Sequence, residues 1–377
     1  MRDEIYMLWL SSLLPNLGSR KLNYLLFRFG SARDIFIAPA DLLKTHGNLT
    51  DKALARLTKN RDLDHIENLL RDMESKKIAY LSRNHDRFPT LLGAIPDPPV
   101  GIFYIGELPA DATNKIGIIG SRKCSDYGLQ TAKLLAKPLA ENGIIIVSGM
   151  ARGVDSMAHR GAIEAGGKTI AVLGCGADIC YPAENRQLRD TIIENGCVLS
   201  EYPPGTKPLG AFFPARNRII SGLCRAIIVA EASKKSGTLI TVDQATEQGR
   251  DVLAVPGNIM SPLSAGTNLL IREGAIPVTD YTDVLFALGL SAKTDTSDLN
   301  NQYAHGSMVT NKAHEDALNS LAPEEKLVYD SLTFEPVSFD NLVMTTKLAS
   351  ANLHFVCTTL ELKGLIKKLP GARYTRC

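Results

Sequence analysis

Short apolar runs alternate with helical or glycine-rich segments through the middle of the chain. Runs that are apolar at every position are typical of parallel strands, because helices cover both faces of such a sheet. The pattern predicts eight strands, at residues 100–106, 116–120, 144–148, 169–174, 197–201, 226–231, 252–256 and 276–278. We therefore predict an α/β fold in which residues 86–290 form a Rossmann-like, doubly wound and mostly parallel sheet.

The N-terminal region, residues 1–85, lacks strand alternation and is rich in leucine and charged residues, which predicts a helical domain. The Pro-x-Leu-Gly turn at residues 15–18 resembles the turn of a helix-hairpin-helix, or SAM-like, domain. Such a turn can present backbone N–H groups to a DNA phosphate, with Arg20 and Lys21 beside it. The alternative is a helical bundle that serves packing or partner contact, and the sequence leaves both open.

The C-terminal region divides into two predicted parts. Residues 291–320 are polar and aperiodic, which predicts a flexible linker. Residues 321–377 contain three helical segments and then a basic hairpin with a Pro370-Gly371 turn, which is the order of a winged-helix domain. Its third helix, residues 349–362, has no Arg or Lys to read bases, so we expect an accessory or partner role for this domain.

Charge and cysteine content narrow the class of protein. Lys plus Arg number 42 and Asp plus Glu number 40, so any basic surface must be local rather than global. The cysteines form no CxxC pair and no zinc-type spacing, which predicts reduced thiols, a cytoplasmic location and no bound metal. The apolar segment near the N-terminus is too short to cross a bilayer, so we expect no membrane contact.

The candidate chemistry lies where the predicted strands end. After the strand at 116–120, Gly120, Ser121 and Arg122 form a turn that leads into a helix. A helix N-terminus offers unpaired N–H groups, glycine allows a phosphate to approach them, and arginine can grip that phosphate bidentately. The other strand ends are also rich in Gly, Ser, Thr, Arg and Lys, which predicts one positive edge of the sheet.

The turn does not fit the common nucleotide-binding motifs. It lacks G-x-G-x-x-G, and Ser148-Gly149 stand where a dinucleotide-binding fold places its ribose-binding acid. There is no P-loop motif, and His159 has no evident partner for acid–base catalysis. Many phosphate-type contacts without a catalytic pair favour a polyanion bound along a groove, such as single-stranded nucleic acid. Tyr181, Phe212 and Phe213 are candidate stacking faces, with core packing as the alternative.

Several motifs together resemble the DNA-processing protein A (DprA/Smf) family. Their order and spacing match from residue 120 to residue 275. The motifs are Gly120-Ser121-Arg122 with Tyr127-Gly128, residues 148–159, residues 213–222, Ser236-Gly237-Thr238-Leu239, Val255-Pro256-Gly257 and residues 266–275. The C-terminal residues resemble the winged-helix domain of many members.

The resemblance implies a bacterial cytosolic protein of natural transformation that binds and protects single-stranded DNA and loads the recombinase RecA onto it. It also implies a homodimer formed through the Rossmann-like domain, no cofactor and no enzymatic activity. The DNA-binding positions that follow are Gly120, Ser121, Arg122, Ser148, Gly149, Lys168, Phe213, Arg216, Asn217, Arg218, Lys235, Ser236, Gly237 and Thr238.

Two other functions remain open at this stage. Nucleotide phosphoribohydrolases of the Lonely Guy type resemble this domain, but Ile240 and Thr241 stand where those enzymes need a carboxylate. A winged-helix regulator with a ligand-sensing α/β domain is the second alternative, and it predicts sequence-specific binding of duplex DNA.

Overall fold

The computed structural model describes residues 2–59, 61–291, 321–333, 336–369 and 371–376. It divides into two compact units, Met1–Lys293 and Thr294–Cys377. Apart from residue 291, the predicted linker lies outside the described residues. No helix of the described ranges is long and apolar enough to span a bilayer.

The first unit combines a helical N-terminal part with one large sheet. Its helices are α1 (Arg2–Ser12), α2 (Leu14–Leu17), α3 (Ser19–Phe29), α4 (Ala32–Ile37), α5 (Ala40–His46), α6 (Asp51–Lys59), α7 (Leu63–Ser75), α8 (Thr90–Gly93), α9 (Asp126–Glu141), α10 (Val154–Glu164), α11 (Arg186–Glu194), α12 (Phe212–Leu223), α13 (Thr238–Glu247), α14 (Ala265–Arg272) and α15 (Tyr281–Ala287). Its strands are β1 (Ala79–Ser82), β2 (Gly101–Gly106), β3 (Lys115–Ile119), β4 (Ile145–Ser148), β5 (Thr169–Leu173), β6 (Gly196–Ser200), β7 (Ala226–Val229), β8 (Asp251–Ala254) and β9 (Ile276–Pro277).

The nine strands form one sheet in the order β1-β2-β6-β5-β4-β3-β7-β8-β9. All neighbours from β6 to β9 pair in parallel, while β2 is antiparallel to both β6 and β1. This arrangement confirms the predicted fold class and all eight predicted strands, with ends shifted by a few residues.

The ninth strand, β1, lies within the region predicted to be helical. It is only four residues long and half-buried at the edge of the sheet. Side chains of α1 hold it in place, because the Ser11 and Tyr80 hydroxyls lie 2.8 Å apart and the Ser82 hydroxyl donates to Glu4 at 2.8 Å. It begins only four residues after the end of α7, so the sequence pattern included it in the helical region.

The central strands are buried on both faces, as continuous apolar runs predict. Ile116 and Ile118 of β3 pack into one core, and Ile119 packs into the core on the other face. Each fully buried isoleucine contributes on the order of 2 kcal/mol to folding. Two helical layers therefore cover the sheet, and the strand ends are the places where polar side chains can gather.

The helical N-terminal part shares a core with the sheet rather than forming a separate one. Trp9 and Leu22 belong to the same buried cluster as Phe103 of β2 and Tyr202, which follows β6. Residues 15–17 of the predicted turn belong to α2, and Gly18 connects α2 to α3 with a φ of 77° that favours glycine. The helices are thus fixed directly against one end of the sheet.

The second unit is the predicted winged helix. Its elements are α16 (Pro323–Asp330), β10 (Val337–Ser338), α17 (Phe339–Thr346), α18 (Ser350–Leu362), β11 (Ile366–Leu369) and β12 (Arg373–Arg376). The three strands form an antiparallel sheet in the order β10-β12-β11. A buried core around Leu353 and Tyr374 joins the helices to this small sheet.

Candidate nucleic-acid interface

The main cleft of the first unit lies where the order of the sheet reverses. From β3 the chain continues through β4, β5 and β6 on one side, and then returns past β3 to β7, β8 and β9. Loops that leave neighbouring strands toward opposite faces open a crevice at the end where parallel strands terminate, here called the carboxyl edge. At this edge the described residues enclose a cleft of about 820 Å³.

The loop after β3 is held in place by hydrogen bonds to Glu231, a buried residue that follows β7. The Ser125 backbone N–H and hydroxyl donate to the Glu231 carboxylate at 2.7 and 2.6 Å. The Ser121 N–H donates to the Glu231 backbone carbonyl at 2.8 Å. These bonds give both oxygens of the buried carboxylate a donor, and they leave the Arg122 side chain exposed.

Arg122 lies beside two aromatic rings in the cleft. Its guanidinium carbon is 5.2 Å from the centre of the Phe213 ring, within the range of a cation–π contact. The Phe213 ring lies 5.3 Å from the Tyr181 ring at an angle of 37°. We call Arg122, Phe213 and Tyr181 the platform. Phe212 takes no part in it, because its ring stacks on Tyr202 at 4.3 Å in the core that joins the helices to the sheet.

Arg216 forms the floor of the cleft at the ends of β4 and β5. Its guanidinium donates to the Gly149 carbonyl at 3.0 Å and to the Val172 carbonyl. Burial lowers the pKa of Arg216 to about 10, against the opposing effect of the nearby Asp155 carboxylate, so the guanidinium stays charged at neutral pH. A Cβ at Gly149 would lie 2.6 Å from this guanidinium, so glycine makes room for it.

Asp155, the acid beside Arg216, is held by backbone hydrogen bonds. Asp155 is buried, and it accepts hydrogen bonds from the N–H groups of Gly149 and Ala151 at 3.2 and 3.4 Å. Burial raises the pKa of Asp155, while the charges of Arg216 and Arg122 and the two N–H groups oppose that rise. The exposed charged side chains that line the cleft, Arg122 and Lys123, are therefore both positive.

A hydroxyl-rich turn lines the cleft beside the loop after β3. Ser236, Gly237 and Thr238 precede and begin α13, and all three lie on the cleft surface. The Thr238 N–H donates to the Ser236 hydroxyl oxygen at 3.2 Å, and this hydroxyl donates in turn to Thr238 Oγ1 at 2.9 Å. The first turn of a helix and two hydroxyls suit an anion.

The structure brings nine of the fourteen predicted site residues to the cleft. They are Gly120, Ser121, Arg122, Phe213, Arg216, Asn217, Ser236, Gly237 and Thr238. Lys123 and Tyr181 also line it. Lys123 follows the predicted turn directly, so the sequence alone could have identified it as a cleft residue. Leu263 and Pro208 also line the cleft, but nothing in the sequence around them indicates this.

The predicted position of Lys168 on this edge is wrong. Lys168 precedes β5, and the amino ends of parallel strands lie opposite their carboxyl ends. There its ammonium forms an ion pair with Glu107 at 2.9 Å. Lys168 therefore does not contribute to the positive edge of the sheet on which Arg122 lies.

Arg218 does not reach the cleft either. It is 6% exposed, and it binds the Glu201 carboxylate at 2.6 Å and Asp97 at 3.3 Å. Residues two apart on a helix point about 200° apart, so Arg216 and Arg218 of α12 face different surroundings. The structure assigns Arg218 to packing between the sheet and the N-terminal helices.

Three further predicted residues differ from the expected arrangement. Ser148 is fully buried, and its hydroxyl donates to the Ile118 carbonyl at 2.6 Å, which joins two strands. Gly149 is buried beneath Arg216. Lys235 is exposed in the loop before α13 but does not line the cleft.

Among the described residues, no group of three or more His, Cys, Asp or Glu side chains is placed to hold a metal ion. The described cysteines form no disulfide, and four of them are buried.

Comparison with known proteins gives consistent matches along the chain. Residues 79–289 match the family model described as DNA recombination-mediator protein A, and residues 312–372 match the DprA winged helix domain. The chain is 48% identical to the DNA processing protein DprA of Streptococcus pneumoniae over 217 residues, which cover 55% of this chain and 77% of that protein. It is 35% identical to the protein Smf of Synechocystis over 332 residues, which cover 81% of this chain and 82% of that protein.

Two solved structures are also similar. The X-ray structure of DprA from Streptococcus pneumoniae matches with a TM-score of 0.65 and 40% identity, over 76% of this chain and 97% of that one. A DNA processing protein A from Helicobacter pylori, studied for its single-stranded DNA binding mode, matches with a TM-score of 0.51 and 31% identity. That match covers 56% of this chain and 95% of the Helicobacter chain.

Proposed function

This chain belongs to the DNA recombination-mediator protein A family, and from that premise we propose that its cleft binds single-stranded DNA. The observation that carries the proposal is the platform, in which an exposed arginine and two aromatic rings lie side by side in an open cleft. The similar Helicobacter pylori protein has a single-stranded DNA binding mode, which supports the same ligand class for this cleft.

In the proposed mechanism the phosphates and the bases of the bound strand contact different residues of the cleft. Arg122 and Lys123 meet phosphates at the mouth of the cleft. In the turn at residues 236–238 the Ser236 hydroxyl is held by Thr238, which leaves the hydrogen of the Thr238 hydroxyl to donate to a neighbouring phosphate. Bases stack on the exposed edge of the platform. Because every base has a π-face, stacking tolerates any sequence, and the cleft reads the backbone rather than the bases.

We further propose that the bound strand is protected and delivered to RecA during natural transformation, that the chain acts as a homodimer through its sheet-containing unit, and that it does so in the cytoplasm. Membership of the DprA family supports these roles. The proposed organisation is a helical region, a DNA-binding sheet, a linker at residues 291–320 and a winged-helix domain with an accessory role.

We propose a binding rather than an enzymatic role for the cleft. Asp155 is the one carboxylate among the residues that line it, and this group is buried and bonded to two backbone N–H groups. Ile240 and Thr241, at the positions where phosphoribohydrolases need a carboxylate, both face the cleft. Measurable hydrolysis of nucleoside monophosphates by the purified chain would contradict this part of the proposal.

The proposal is tested by titrating oligo-dT against the Arg122→Ala variant at moderate salt. We expect affinity to fall more than tenfold, because one phosphate contact and the cation of the platform are lost together. Lys168→Ala is the matched control, since it also removes one exposed cation but from the opposite edge of the sheet. If Arg122→Ala binds like the unmodified chain, the cleft is not the binding site.

A second titration separates single-stranded from duplex DNA. We expect the chain to prefer an oligonucleotide over the duplex of identical sequence, with affinity that falls steeply as salt rises, because phosphate contacts release counterions. Tighter, sequence-dependent binding of the duplex would instead favour the winged-helix regulator.

A further inference from the structure

Helix α3, Ser19–Phe29, carries a second set of exposed aromatic and basic side chains outside the cleft. Leu22, Leu25 and Leu26 bury one of its faces in the core of the N-terminal helices. On the opposite face, Phe27 is 82% exposed and Tyr24 is 40% exposed. A single exposed phenylalanine is common on protein surfaces, so it is the two neighbouring exposed rings with cations beside them that indicate a binding surface.

Two arginines flank these rings on the same face. Arg20, Tyr24, Phe27 and Arg28 have the spacing i, i+4, i+7 and i+8, which aligns them along one side of the helix. Eight residues of helix rise about 12 Å, a length that accommodates about two nucleotides of an extended strand. We call these four residues the α3 stripe.

The α3 stripe is positive, and its own helix carries no acid to offset that charge. The helix contains Arg20, Lys21 and Arg28 and no acidic residue. Within the described ranges neither arginine of the stripe forms an ion pair, whereas Lys21 donates to the Asn48 carbonyl at 2.8 Å and lies 5.8 Å from the Tyr24 ring centre. Exposed rings between exposed guanidinium groups suit a strand that offers both bases and phosphates.

The α3 stripe is fixed relative to the cleft through Asp97. The Ser19 hydroxyl and the Asn23 amide of α3 donate to the Asp97 carboxylate at 2.6 and 2.7 Å. Arg218 of α12 approaches the same carboxylate at 3.3 Å. Phe213 of the platform lies on α12 five residues before Arg218, which is about 8 Å along the helix. Helix α3 is therefore held against α12, the helix that carries Phe213 of the platform.

We propose that the α3 stripe is a second subsite for single-stranded DNA, which continues the path of the strand that occupies the cleft. Tyr24 and Phe27 stack bases, and Arg20 and Arg28 hold the phosphates beside them. This inference rests on the proposed function of the cleft. It explains why aromatic rings and cations occur together on a helix whose other face is an ordinary packing surface.

The test compares the Tyr24→Ala/Phe27→Ala double variant with the unmodified full-length chain on oligo-dT of two lengths. An oligonucleotide of roughly 6 nucleotides fills the cleft alone, and one of roughly 20 nucleotides can also reach α3. We expect unchanged affinity for the short strand and a loss of about tenfold or more for the long strand, because stacking on two rings is removed. The Arg20→Ala/Arg28→Ala variant should lower the salt dependence of binding for the long strand only.

Phe286→Ala is the matched control. Phe286 is 87% exposed, but its helix, α15, carries Asp283 and no cation, so its loss should affect neither length. Phe27→Trp keeps a stacking ring and should retain long-strand affinity.

Two outcomes would overturn the α3 proposal. One is unchanged long-strand binding by the α3 variants, and the other is an equal loss for both lengths, which would indicate damage to the fold. Failure of the cleft itself is distinguishable, because Arg122→Ala would then leave both lengths unaffected.

Discussion

At the scale of single residues, environment decides what a charge does. Arg122, Arg216 and Arg218 lie within one region, yet the first is exposed, the second forms a buried floor and the third pairs with two carboxylates. An arginine on an exposed loop can exchange water for phosphate at small cost, whereas a buried one is already committed to internal acceptors. We therefore expect DNA binding to respond most strongly to Arg122.

His159 shows the same dependence on environment. Its Nδ1 lies 2.7 Å from Thr169 Oγ1, whose own hydrogen is donated to the Ile146 carbonyl at 2.7 Å. Nδ1 must therefore carry the proton, and Nε2 is left buried with no partner in the described part of the chain. Burial, together with the charge of Arg216, lowers the pKa of His159 to about 3, so the ring is neutral at physiological pH.

A pH-dependent effect on stability follows from this shift. In the unfolded chain His159 takes up a proton near pH 6.5, whereas in the folded chain it does so only near pH 3. Acid therefore favours unfolding between these values, by at most about 1.4 kcal/mol per pH unit. We expect urea unfolding of His159→Asn to depend less steeply on pH between 6.5 and 4.5 than that of the unmodified chain. Equal slopes for the two proteins would contradict the assignment.

At the scale of elements, the important unit is the loop between β3 and α9. Its conformation depends on Glu231, which belongs to the neighbouring strand end and accepts from the Ser125 N–H and hydroxyl. Gly128 packs so closely that a Cβ there would lie 2.6 Å from the Glu231 carboxylate. The loop is thus pre-formed before any ligand arrives, which reduces the entropy lost on binding.

Replacement of Glu231 tests this role. Glu231→Gln keeps the shape of the side chain but replaces one of its two acceptor oxygens by an NH2 group. One of the two Ser125 donors then loses its acceptor, so the loop that carries Arg122 should become less ordered. We expect oligo-dT affinity to fall about tenfold while the thermal midpoint shifts by only a few degrees. Glu164→Gln is the control, because it changes an exposed ion pair with Lys133 at the far end of α10. Unchanged affinity in Glu231→Gln would show that the loop does not need this anchor.

At the scale of the whole molecule, Asp97 links the N-terminal helices to the sheet. It accepts from Ser19 and Asn23 of α3 and pairs with Arg218 of α12. The apolar core continues this contact from Trp9 to Phe103. Because helices and sheet share this core, we expect them to unfold together as one cooperative unit.

Removal of the Asp97 carboxylate should weaken that unit. In Asp97→Ala the buried Arg218 retains only Glu201, Ser19 loses its acceptor and Asn23 loses one of two, so we expect the free energy of unfolding to drop by about 2–4 kcal/mol. Glu107→Ala removes the exposed pair with Lys168 and should change it by less than about 0.5 kcal/mol. Denaturant unfolding of both variants measures the difference, and similar values for the two would show that Asp97 has no special role.

The sequence by itself determined eight of the nine strands in the large sheet, the winged helix and the turn that carries Arg122, because each depends on residues adjacent in the chain. Runs that are apolar on both faces identify buried strands but contain no information about which strand lies beside which. The tertiary structure alone decided the order of the sheet, and with it the crevice between β3 and β7. It also placed Lys168 on the opposite edge and directed Arg218 inward, because strand direction and helical rotation determine where a side chain points.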